Sequence, residues 1–260
     1  MKAIILCAGK GTRLRPLTYT TAKHLIPVAN KPVILYTIEK IKSAGIKEIG
    51  IIVSPENRQD FITALGDGSQ YGVNLTYILQ EEPKGLAHAV LMAKHFLGDE
   101  DFMMYLGDNL IMDDIRPFVK EFEEKKELSA LIMLSPVQDP SRFGIAVMEG
   151  NKIIKIESLV EKPKPEEAPS NIAIIGRYVL NPTIFDCLSG LNPGYGGEIQ
   201  LTDALKILCK REAVYGYLFE GKRYDIGGKS EWLRANFELA LEDGELRDYV
   251  VEWFKELKSL

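Results

Sequence analysis

The sequence predicts an α/β fold, Rossmann-like and doubly wound, with a mixed but mainly parallel sheet and helices on both faces. Through the first half of the chain, apolar runs typical of buried strands alternate with segments of helical periodicity. The first of these runs, residues 3–6, leads directly into a glycine-containing turn. The 260 residues are enough for one sizeable core, and 46% hydrophobic and 27% charged residues are ordinary for a globular protein.

The elements of the first half follow that turn in a regular order. Pro32 is typical of a helix start and Gly45 of a helix end, and Ile34, Ile38 and Ile41 recur between them at helical spacing. The other elements predicted there are strands at 48–53, 75–79, 102–106 and 129–134 and helices at 54–66, 85–96 and 113–126. Parallel strands end at one edge of a sheet, where ligands bind, so residues just past those ends should share one crevice. These residues are 9–13, Gln80 and Asp108.

Past Pro136 the regular alternation stops. We predict a hairpin of residues 145–148 and 152–156 around Glu149-Gly150-Asn151. The other elements predicted there are strands at 172–180 and 214–219, a short helix after Asn181-Pro182, and helices at 198–210 and 229–241. A final helix carries an apolar stripe of Leu246, Val250, Trp253 and Leu257. This stripe is expected to pack against the body of the protein; a subunit contact, and with it a homo-oligomer, is the alternative.

Composition and charge argue against several classes of protein. The net charge is −5 and basic residues are scattered, so a nucleic-acid partner is not expected. The three cysteines, Cys7, Cys187 and Cys209, are far apart and odd in number, which predicts reduced thiols in a cytoplasmic protein. No apolar run approaches the ~18 residues of a membrane span, and none has the form of a signal peptide, so no membrane partner is expected.

The turn after the first strand combines Gly9 and Gly11 with Arg13, Arg15 and Lys23. Glycines let backbone N–H groups approach an anion closely, so a phosphate cradle is one interpretation. A plain turn with solvated basic residues is the other. The spacing of a P-loop is absent, and Leu14 stands where the dinucleotide fingerprint needs its third glycine, which makes a nicotinamide-dependent oxidoreductase a weak alternative.

This segment resembles the sugar-1-phosphate nucleotidylyltransferases. The family pattern G-x-G-T-R-x-x-P-x-T is matched from Gly9 to Thr18, K-x-x-x-P from Lys23 to Pro27, and K-P at Lys31-Pro32. The resemblance implies a nucleotide-diphospho-sugar transferase fold. It implies one domain, 1–260, with a mainly nucleotide-binding part (1–135), a mainly sugar-phosphate-binding part (136–228) and C-terminal helices (229–260). The nucleotide-binding residues it implies are Leu6, Ala8, Gly9, Gly11, Thr12, Arg13, Lys23, Gln80, Pro83, Gly85 and Asp108.

The base is expected to lie against the segment from Gln80 to Ala89. An amide can donate and accept, so Gln80 can pair with the edge of uracil or thymine, and Gly85 lets the backbone lie close to a base. A surface loop before a capped helix is the plainer interpretation. The pattern Q-x-x-P-x-G-L-x-H-A resembles the base-binding segment of uridylyl and thymidylyl transferases, in which His88 is expected to be structural.

Asp108 and Asp225 are the predicted metal ligands. Asp108 follows a strand, where it could also cap or solvate a loop, and in the resembling family this aspartate binds Mg²⁺. Asp225 lies in a segment similar to the family's Y-D-x-G. Mg²⁺ takes one or two carboxylates plus phosphate oxygens, which two aspartates from distant strands can provide. Asp113 and Asp114 are expected to start the next helix instead.

The sugar phosphate is expected to bind to the second half of the chain. The segment V-E-K-P at 160–163 resembles the family's sugar-phosphate motif, which implies that Glu161 binds sugar hydroxyls and Lys162 the phosphate; a stiff exposed loop is the alternative. Glu198 is expected to start a helix, where it would complement the macrodipole. The resemblance implies a sugar-hydroxyl contact for Glu198 and a backbone contact for Gly144.

The resemblance implies in-line attack of the phosphate of glucose 1-phosphate on the α-phosphorus of UTP or dTTP, with release of pyrophosphate. Arg13, Lys23, Asp108, Lys162 and Asp225 are the catalytic residues that the resemblance implies, and Mg²⁺ is the cofactor. The second half resembles bacterial UTP:glucose-1-phosphate uridylyltransferases and the first half the longer glucose-1-phosphate thymidylyltransferases. We expect UDP-glucose as the product, with dTDP-glucose as the alternative. A non-catalytic nucleotide-sugar sensor is the alternative of another class.

Overall fold

A computed structural model describes residues 1–148 and 153–257. Its strands are β1 (Lys2–Leu6), β2 (Pro27–Val28), β3 (Lys31–Pro32), β4 (Glu48–Val53), β5 (Asn74–Leu79), β6 (Phe102–Leu106), β7 (Asn109–Ile111), β8 (Leu128–Pro136), β9 (Gly144–Val147), β10 (Ile153–Lys155), β11 (Ser158–Glu161), β12 (Ile172–Leu180), β13 (Ala213–Leu218) and β14 (Arg223–Asp225). Its helices are α1 (Val33–Ser43), α2 (Arg58–Leu65), α3 (Leu86–Met92), α4 (Lys94–Leu97), α5 (Arg116–Glu124), α6 (Ile184–Leu188), α7 (Leu201–Cys209), α8 (Lys229–Ala240) and α9 (Arg247–Leu257).

A ten-stranded sheet is the centre of the part of the chain that the structure describes. Eight strands form a row in the order β10-β13-β8-β12-β6-β1-β4-β5, and β9 and β11 continue from β12. The strands β5, β4, β1 and β6 are parallel, β8 and β13 are parallel to each other, and β12 is antiparallel to both β6 and β8. Only β12 and β10 of this row therefore oppose the common direction. This confirms the predicted mixed, mainly parallel sheet.

Side chains on both faces of the sheet are buried, which agrees with the prediction of helices on both faces. Ile4 of β1 belongs to the core that α3, α6 and α7 cover, whereas its neighbour Ile5 belongs to the core under α1, α2 and α5. Successive side chains of a strand point to opposite faces, so a strand covered by helices on both sides is apolar throughout. The apolar run at 3–6 is such a strand, with residues between 0% and 7% exposed.

A third core lies away from the sheet, under α8. It includes Val28 of β2, Leu110 of β7, Tyr224 of β14, and Leu239 of α8. The strands β7 and β14 pair antiparallel, with Asp225 opposite Asn109. The sequence did not predict these strands, because three residues are too few to show a periodicity. Their pairing brings Asp225 next to the end of β6.

Two predicted local structures are wrong. The strand at 145–148 does not form a hairpin with the one at 152–156, because β9 pairs with β11 and β10 pairs with β13. The expected turn, Glu149-Gly150-Asn151, lies outside the described residues. Glu198 does not start a helix, since α7 begins at Leu201 and Glu198 lies in the preceding loop.

The apolar stripe of the last helix packs less than expected. Leu246 and Val250 are half-buried, but Trp253 is 49% exposed and Leu257 is 46% exposed. No residue of α9 is buried, and both Trp253 and Phe254 contact the ring of Phe237 in α8. The stripe therefore contacts α8 through Trp253 but leaves about half of the Trp253 and Leu257 side chains exposed.

Candidate active site

Two adjoining cavities lie at the carboxyl ends of the parallel strands. The smaller, about 220 Å³, is bounded by β1, β6 and the segment after β5. The larger, about 400 Å³, is bounded by β9, β11, β12, β14 and the loop before α7. Leu86, Leu106 and Glu198 line both, so the two cavities form one cleft.

Most of the sequence-predicted residues line this cleft. The smaller cavity is lined by Leu6, Ala8, Gly9, Lys23, Gln80, Pro83, Gly85 and Asp108 of the nucleotide set. The larger is lined by Gly144, Glu161, Lys162 and Glu198 of the sugar-phosphate set, together with Arg13 and Asp225. Gly11 and Thr12 line neither cavity. Of the residues predicted to share one crevice, Gly9, Arg13, Gln80 and Asp108 line this cleft, Arg13 on its sugar side, and residues 10–12 do not.

The turn after β1 leaves backbone donors unused. The N–H groups of Gly9, Lys10 and Gly11 donate to no acceptor among the described residues. Gly11 has a φ of +63°, and a Cβ there would lie 2.9 Å from the Thr18 side chain, so glycine is required. Consecutive unpaired N–H groups bind anions, and this turn can therefore hold a phosphate.

The Gln80–Gly85 segment lines the smaller cavity and is fixed by hydrogen bonds. The Gln80 side chain is buried, and its Nε2 donates to the Gly85 carbonyl at 3.2 Å and lies 3.1 Å from His88 Nδ1. These two contacts occupy both amide hydrogens and leave Oε1 as an acceptor. The backbone N–H of Ile199 donates to the Lys84 carbonyl at 2.8 Å, and that of Ala87 donates to the Ile199 carbonyl at 3.2 Å. This segment of the nucleotide side is thus bonded to the loop that carries Glu198.

Asp108 follows β6 and forms an ion pair with Lys23. Burial alone would raise the pKa of the Asp108 carboxyl, but the charge and hydrogen bond of Lys23, together with His24 and a backbone hydrogen bond, outweigh burial and hold that pKa well below its usual range. Asp108 is therefore a carboxylate at neutral pH. Its position is set by pairing across β7 and β14, where the Ile226 N–H donates to the Asp108 carbonyl at 2.8 Å.

A buried arginine that sequence reasoning missed supports the Asp108 turn. Arg177 of β12 is 1% exposed and donates to the carbonyls of Leu106, at 3.0 Å, and Asn109. Its guanidinium lies 3.8 Å from the centre of the Tyr105 ring. The contacted residues, Tyr105, Leu106 and Asn109, lie on both sides of Asp108 in the sequence, so Arg177 stabilises this turn from the protein interior. An arginine inside an apolar strand run was the available signal.

Asp225 lies in the larger cavity between two arginines. Its Oδ1 accepts from the Gly227 N–H at 3.0 Å and its Oδ2 contacts Nη2 of Arg142 at 3.4 Å. Arg13 packs against Gly227 so closely that a Cβ there would clash with its guanidinium. The sequence did not point to Arg142, although it stands two residues before the predicted Gly144.

The sugar side is built around Glu161 at the end of β11. Thr202 donates its hydroxyl to Glu161 Oε2 at 2.5 Å, and Lys162 Nζ lies 3.5 Å from Glu161 Oε1. A Cβ on Gly144 would lie 2.9 Å from the Thr202 hydroxyl oxygen, so glycine keeps this corner open. Thr202, Gln200 and Tyr178 also line the cavity and were not predicted. The carboxylate and hydroxyls suit a polyhydroxylated ligand.

The carboxylates of this cleft fit a divalent cation that takes most of its ligands from the phosphates of a bound substrate. Within residues 1–148 and 153–257, no three His, Cys, Asp or Glu side chains gather as a metal cluster. Asp108 and Asp225 lie on adjoining strand ends, and each carboxylate carries a cationic partner, Lys23 or Arg142. Mg²⁺ is usually bound by one or two carboxylates plus substrate phosphates, which is the donor set available here.

Comparison with known proteins places the chain among nucleotide-transferring enzymes. The nucleotidyl transferase family profile matches residues 2–242. A low-salt glycan biosynthesis nucleotidyltransferase of Haloferax volcanii is 45% identical over 95% of this chain and 68% of its own length. A glucose-1-phosphate thymidylyltransferase of Streptomyces antibioticus is 41% identical over the same shares. A UTP–glucose-1-phosphate uridylyltransferase of Bacillus subtilis is 40% identical over 98% of this chain and 96% of its own length.

Solved structures show the same fold. A UDP-glucose pyrophosphorylase complexed with UDP-glucose superposes with a TM-score of 0.85 at 31% identity, covering 93% of this chain and 99% of the other. A putative glucose-1-phosphate thymidylyltransferase from Bacillus anthracis superposes with a TM-score of 0.83 at 38% identity, covering 91% and 94%. No helix within the described ranges has the length and apolarity needed to cross a membrane.

Proposed function

Because the chain belongs to the nucleotidyl transferase family, we propose that it makes UDP-glucose and pyrophosphate from UTP and glucose 1-phosphate. One observation carries this proposal. The cleft has a nucleotide side and a sugar side that meet at Leu86, Leu106 and Glu198, so the reacting phosphates of two bound substrates would meet between them.

The base side supports a pyrimidine with a hydrogen on N3. Since Nε2 of Gln80 contacts both the Gly85 carbonyl and His88 Nδ1, Oε1 is the atom available to the base. Uracil and thymine offer an N3–H donor to such an acceptor, whereas cytosine offers an acceptor at N3. UTP and dTTP should therefore bind and CTP should not, because two facing acceptors leave both without a donor.

The phosphates would lie along a line of basic groups. The free N–H groups after β1 and the Lys23 ammonium would hold the nucleotide phosphates, and Arg13 would stabilise the charge of the departing pyrophosphate. Lys162 would hold the phosphate of the sugar, and Glu161 with Thr202 would bind its hydroxyls. The attacking phosphate oxygen is already an anion, so no side chain has to remove a proton. Catalysis is then orientation and charge neutralisation.

Asp108 and Asp225 would hold Mg²⁺. When bound, this ion supplies positive charge to phosphate oxygens and helps to orient them. Lys23 and Arg142, which contact the two carboxylates here, would then be available to the substrates.

We propose uridylyl transfer rather than thymidylyl transfer because of what the second half of the chain resembles. Residues 168–180, 196–205 and 235–241 resemble the bacterial uridylyltransferases in near-continuous runs. The 41% identity to a thymidylyltransferase favours dTTP as the second candidate. Thymine differs from uracil by one methyl, which is worth only about 1–3 kcal/mol of discrimination, so a direct comparison is required.

The test is pyrophosphate release from glucose 1-phosphate and Mg²⁺ with UTP, dTTP or CTP at equal concentration. Faster release with UTP supports the proposal, and faster release with dTTP makes the product dTDP-glucose. CTP should give little release with either result. If folded protein binds nucleotide but releases no pyrophosphate, the proposed enzymatic activity is wrong and a non-catalytic nucleotide-sugar sensor is favoured.

A further inference from the structure

Arg142 lies at the wall between the larger cavity and an adjoining one of about 350 Å³. It ends the short turn Pro140–Arg142 and precedes β9, so its backbone is fixed while its side chain is 51% exposed. Its guanidinium contacts Asp225 Oδ2 at 3.4 Å and lies 5.9 Å from the centre of the Phe143 ring. Neither contact is close, and an exposed side chain of this kind can change partners at little cost.

The Asp225 oxygen that Arg142 contacts is the better placed of the two to bind a metal ion. Oδ1 already accepts from the Gly227 N–H at 3.0 Å, in the turn that follows β14. Oδ2 accepts from no backbone N–H among the described residues and faces Arg142 instead. A guanidinium and a divalent cation at one carboxylate oxygen repel each other, so the two are competitors.

The charges of the larger cavity balance in the metal-free protein. Its cations are Arg13, Arg142 and Lys162, and its acids are Glu161, Glu198 and Asp225. Lys162 lies 3.5 Å from Glu161, so part of its charge is already neutralised. A sugar phosphate carries close to two negative charges at neutral pH. A neutral cavity gives such a dianion no net attraction.

We propose that Arg142 exchanges partners during the reaction. It is held on Asp225 in the metal-free protein and leaves that carboxylate when a divalent cation binds there. Arg142 then binds the phosphate of the sugar 1-phosphate beside Lys162, through the paired N–H groups that suit guanidinium to phosphate. This inference rests on the proposed function and adds a substrate-binding residue to it.

The exchange predicts two opposite effects of one substitution. Arg142→Met keeps the length of the side chain and removes the charge. Without a competing guanidinium, Mn²⁺ should bind the substrate-free variant about threefold more tightly, as measured by the electron paramagnetic resonance signal of free Mn²⁺. Glucose 1-phosphate should bind the Mn²⁺-loaded variant about tenfold more weakly by calorimetry, because a charge-assisted phosphate contact is lost.

The control is Arg234→Met. Arg234 is 57% exposed and lines the neighbouring cavity, but it pairs with Glu238 and does not line the larger one. Both affinities should stay at the wild-type value in this variant. Arg142→Lys should recover part of the sugar-phosphate affinity. Circular dichroism and thermal melting establish that each variant is folded.

The outcomes separate this inference from the proposed function. If wild-type protein binds glucose 1-phosphate and releases pyrophosphate, but Arg142→Met leaves either affinity unchanged or weakens both, the exchange is wrong and the function stands. If wild-type protein neither binds glucose 1-phosphate nor releases pyrophosphate, the proposed function fails and the exchange fails with it.

Discussion

Lys162 has a backbone conformation that side chains rarely adopt. Its φ is +42°, and it directly precedes Pro163, which restricts it further. Its N–H donates to the Phe143 carbonyl at 2.9 Å, which fixes the residue between β9 and β11. Strain of this kind persists only where the surroundings determine it, and it clusters at ligand sites. The position therefore favours a ligand-binding role over a stiff surface loop.

Lys162→Ala should lower turnover with glucose 1-phosphate at least tenfold, since ~1.4 kcal/mol of phosphate binding suffices for that. Lys164→Ala is the matched control. Lys164 is two residues away, 69% exposed and paired with Glu167, and its removal should leave turnover unchanged. Steady-state kinetics measures the turnover of both variants. If Lys162→Ala were as active as Lys164→Ala, Lys162 would not be a site residue.

His24 is buried without a hydrogen-bond partner for either ring nitrogen among the described residues. Burial, helped by the nearby Lys23 charge, lowers the pKa of its imidazole from 6.5 to about 3. The unfolded chain takes up a proton near pH 6.5 while the folded protein does not. The free energy of unfolding therefore falls as the pH drops through the window from 6.5 to about 3.

Between pH 7 and pH 5 this histidine should cost the wild-type protein about 2 kcal/mol of stability. His24→Leu removes the titrating group, so its free energy of unfolding should depend less on pH by that amount. Denaturant unfolding at the two pH values measures both. His95→Leu, at an exposed position, is the control and should keep the wild-type dependence. Identical slopes for all three proteins would show that His24 does not titrate as described.

Single residues were predictable where they follow a strand. Asp108 and Gln80 come directly after apolar runs, and strand direction alone places them at one edge of the sheet. Arg142 and Thr202 were missed because neither follows a parallel strand. They reach the cleft only through the pairing of β9 with β11 and the packing of α7.

At the scale of elements, the nucleotide and sugar sides are joined by backbone contacts at Gly85. Its φ is +99°, and a Cβ there would lie 2.6 Å from the Ile199 carbonyl oxygen. The glycine expected to lie close to a base thus also lies close to the loop of Glu198. A change at this point should displace both cavities together.

Gly85→Ala should therefore raise the KM of both substrates and lower turnover, by about tenfold or more, because the side chain meets backbone that cannot move aside. Gly98→Ala is the control. Gly98 has a φ of +63° and nothing within 4 Å of its Cβ position, so it carries the conformational cost of about 1–3 kcal/mol without the clash. Kinetics and thermal melting distinguish them: Gly98→Ala should lose stability and keep both KM values. If both variants kept both KM values, the coupling at Gly85 would be wrong.

Element existence was more predictable than element pairing. The strand at 172–180 was predicted with the bounds that β12 has, because its residues form one apolar run. Its place between β6 and β8 depends on contacts distant in sequence, which no local pattern contains. The wrong hairpin has the same cause, since β11, absent from the prediction, is the strand that pairs with β9.

On the scale of the whole molecule, α8 and α9 differ sharply in what they support. Ala235 and Leu239 of α8 are buried in the core that holds Tyr224 and Ile226 on either side of Asp225. The helix α9 has no buried residue and presents Trp253, Phe254 and Leu257 partly to solvent. A surface of this kind suits a subunit contact, so the expected homo-oligomer stays a prediction.

Deleting residues 247–260 should lower Tm by less than about 4 °C, because no side chain of Arg247–Leu257 is buried. Deleting residues 229–260 should abolish cooperative unfolding, because it uncovers the core under β14. Thermal melts of the two truncated proteins check this pair. A large loss of Tm from the shorter deletion would mean that α9 is covered by another subunit in the native protein. Light scattering would then show a lower particle mass for the truncated protein than for the full chain.

The position of β12 also determines when the protein can fold during synthesis. Residues 172–180 form a strand between β6 and β8, so the sheet has a gap until they leave the ribosome. Until then the nascent chain exposes the edges of two apolar strands, a form prone to aggregation. Residues 1–135 should therefore not fold alone, although they contain most of the nucleotide side. Vectorial synthesis therefore delivers the loops of the nucleotide side before the strand that joins the two parts of the sheet.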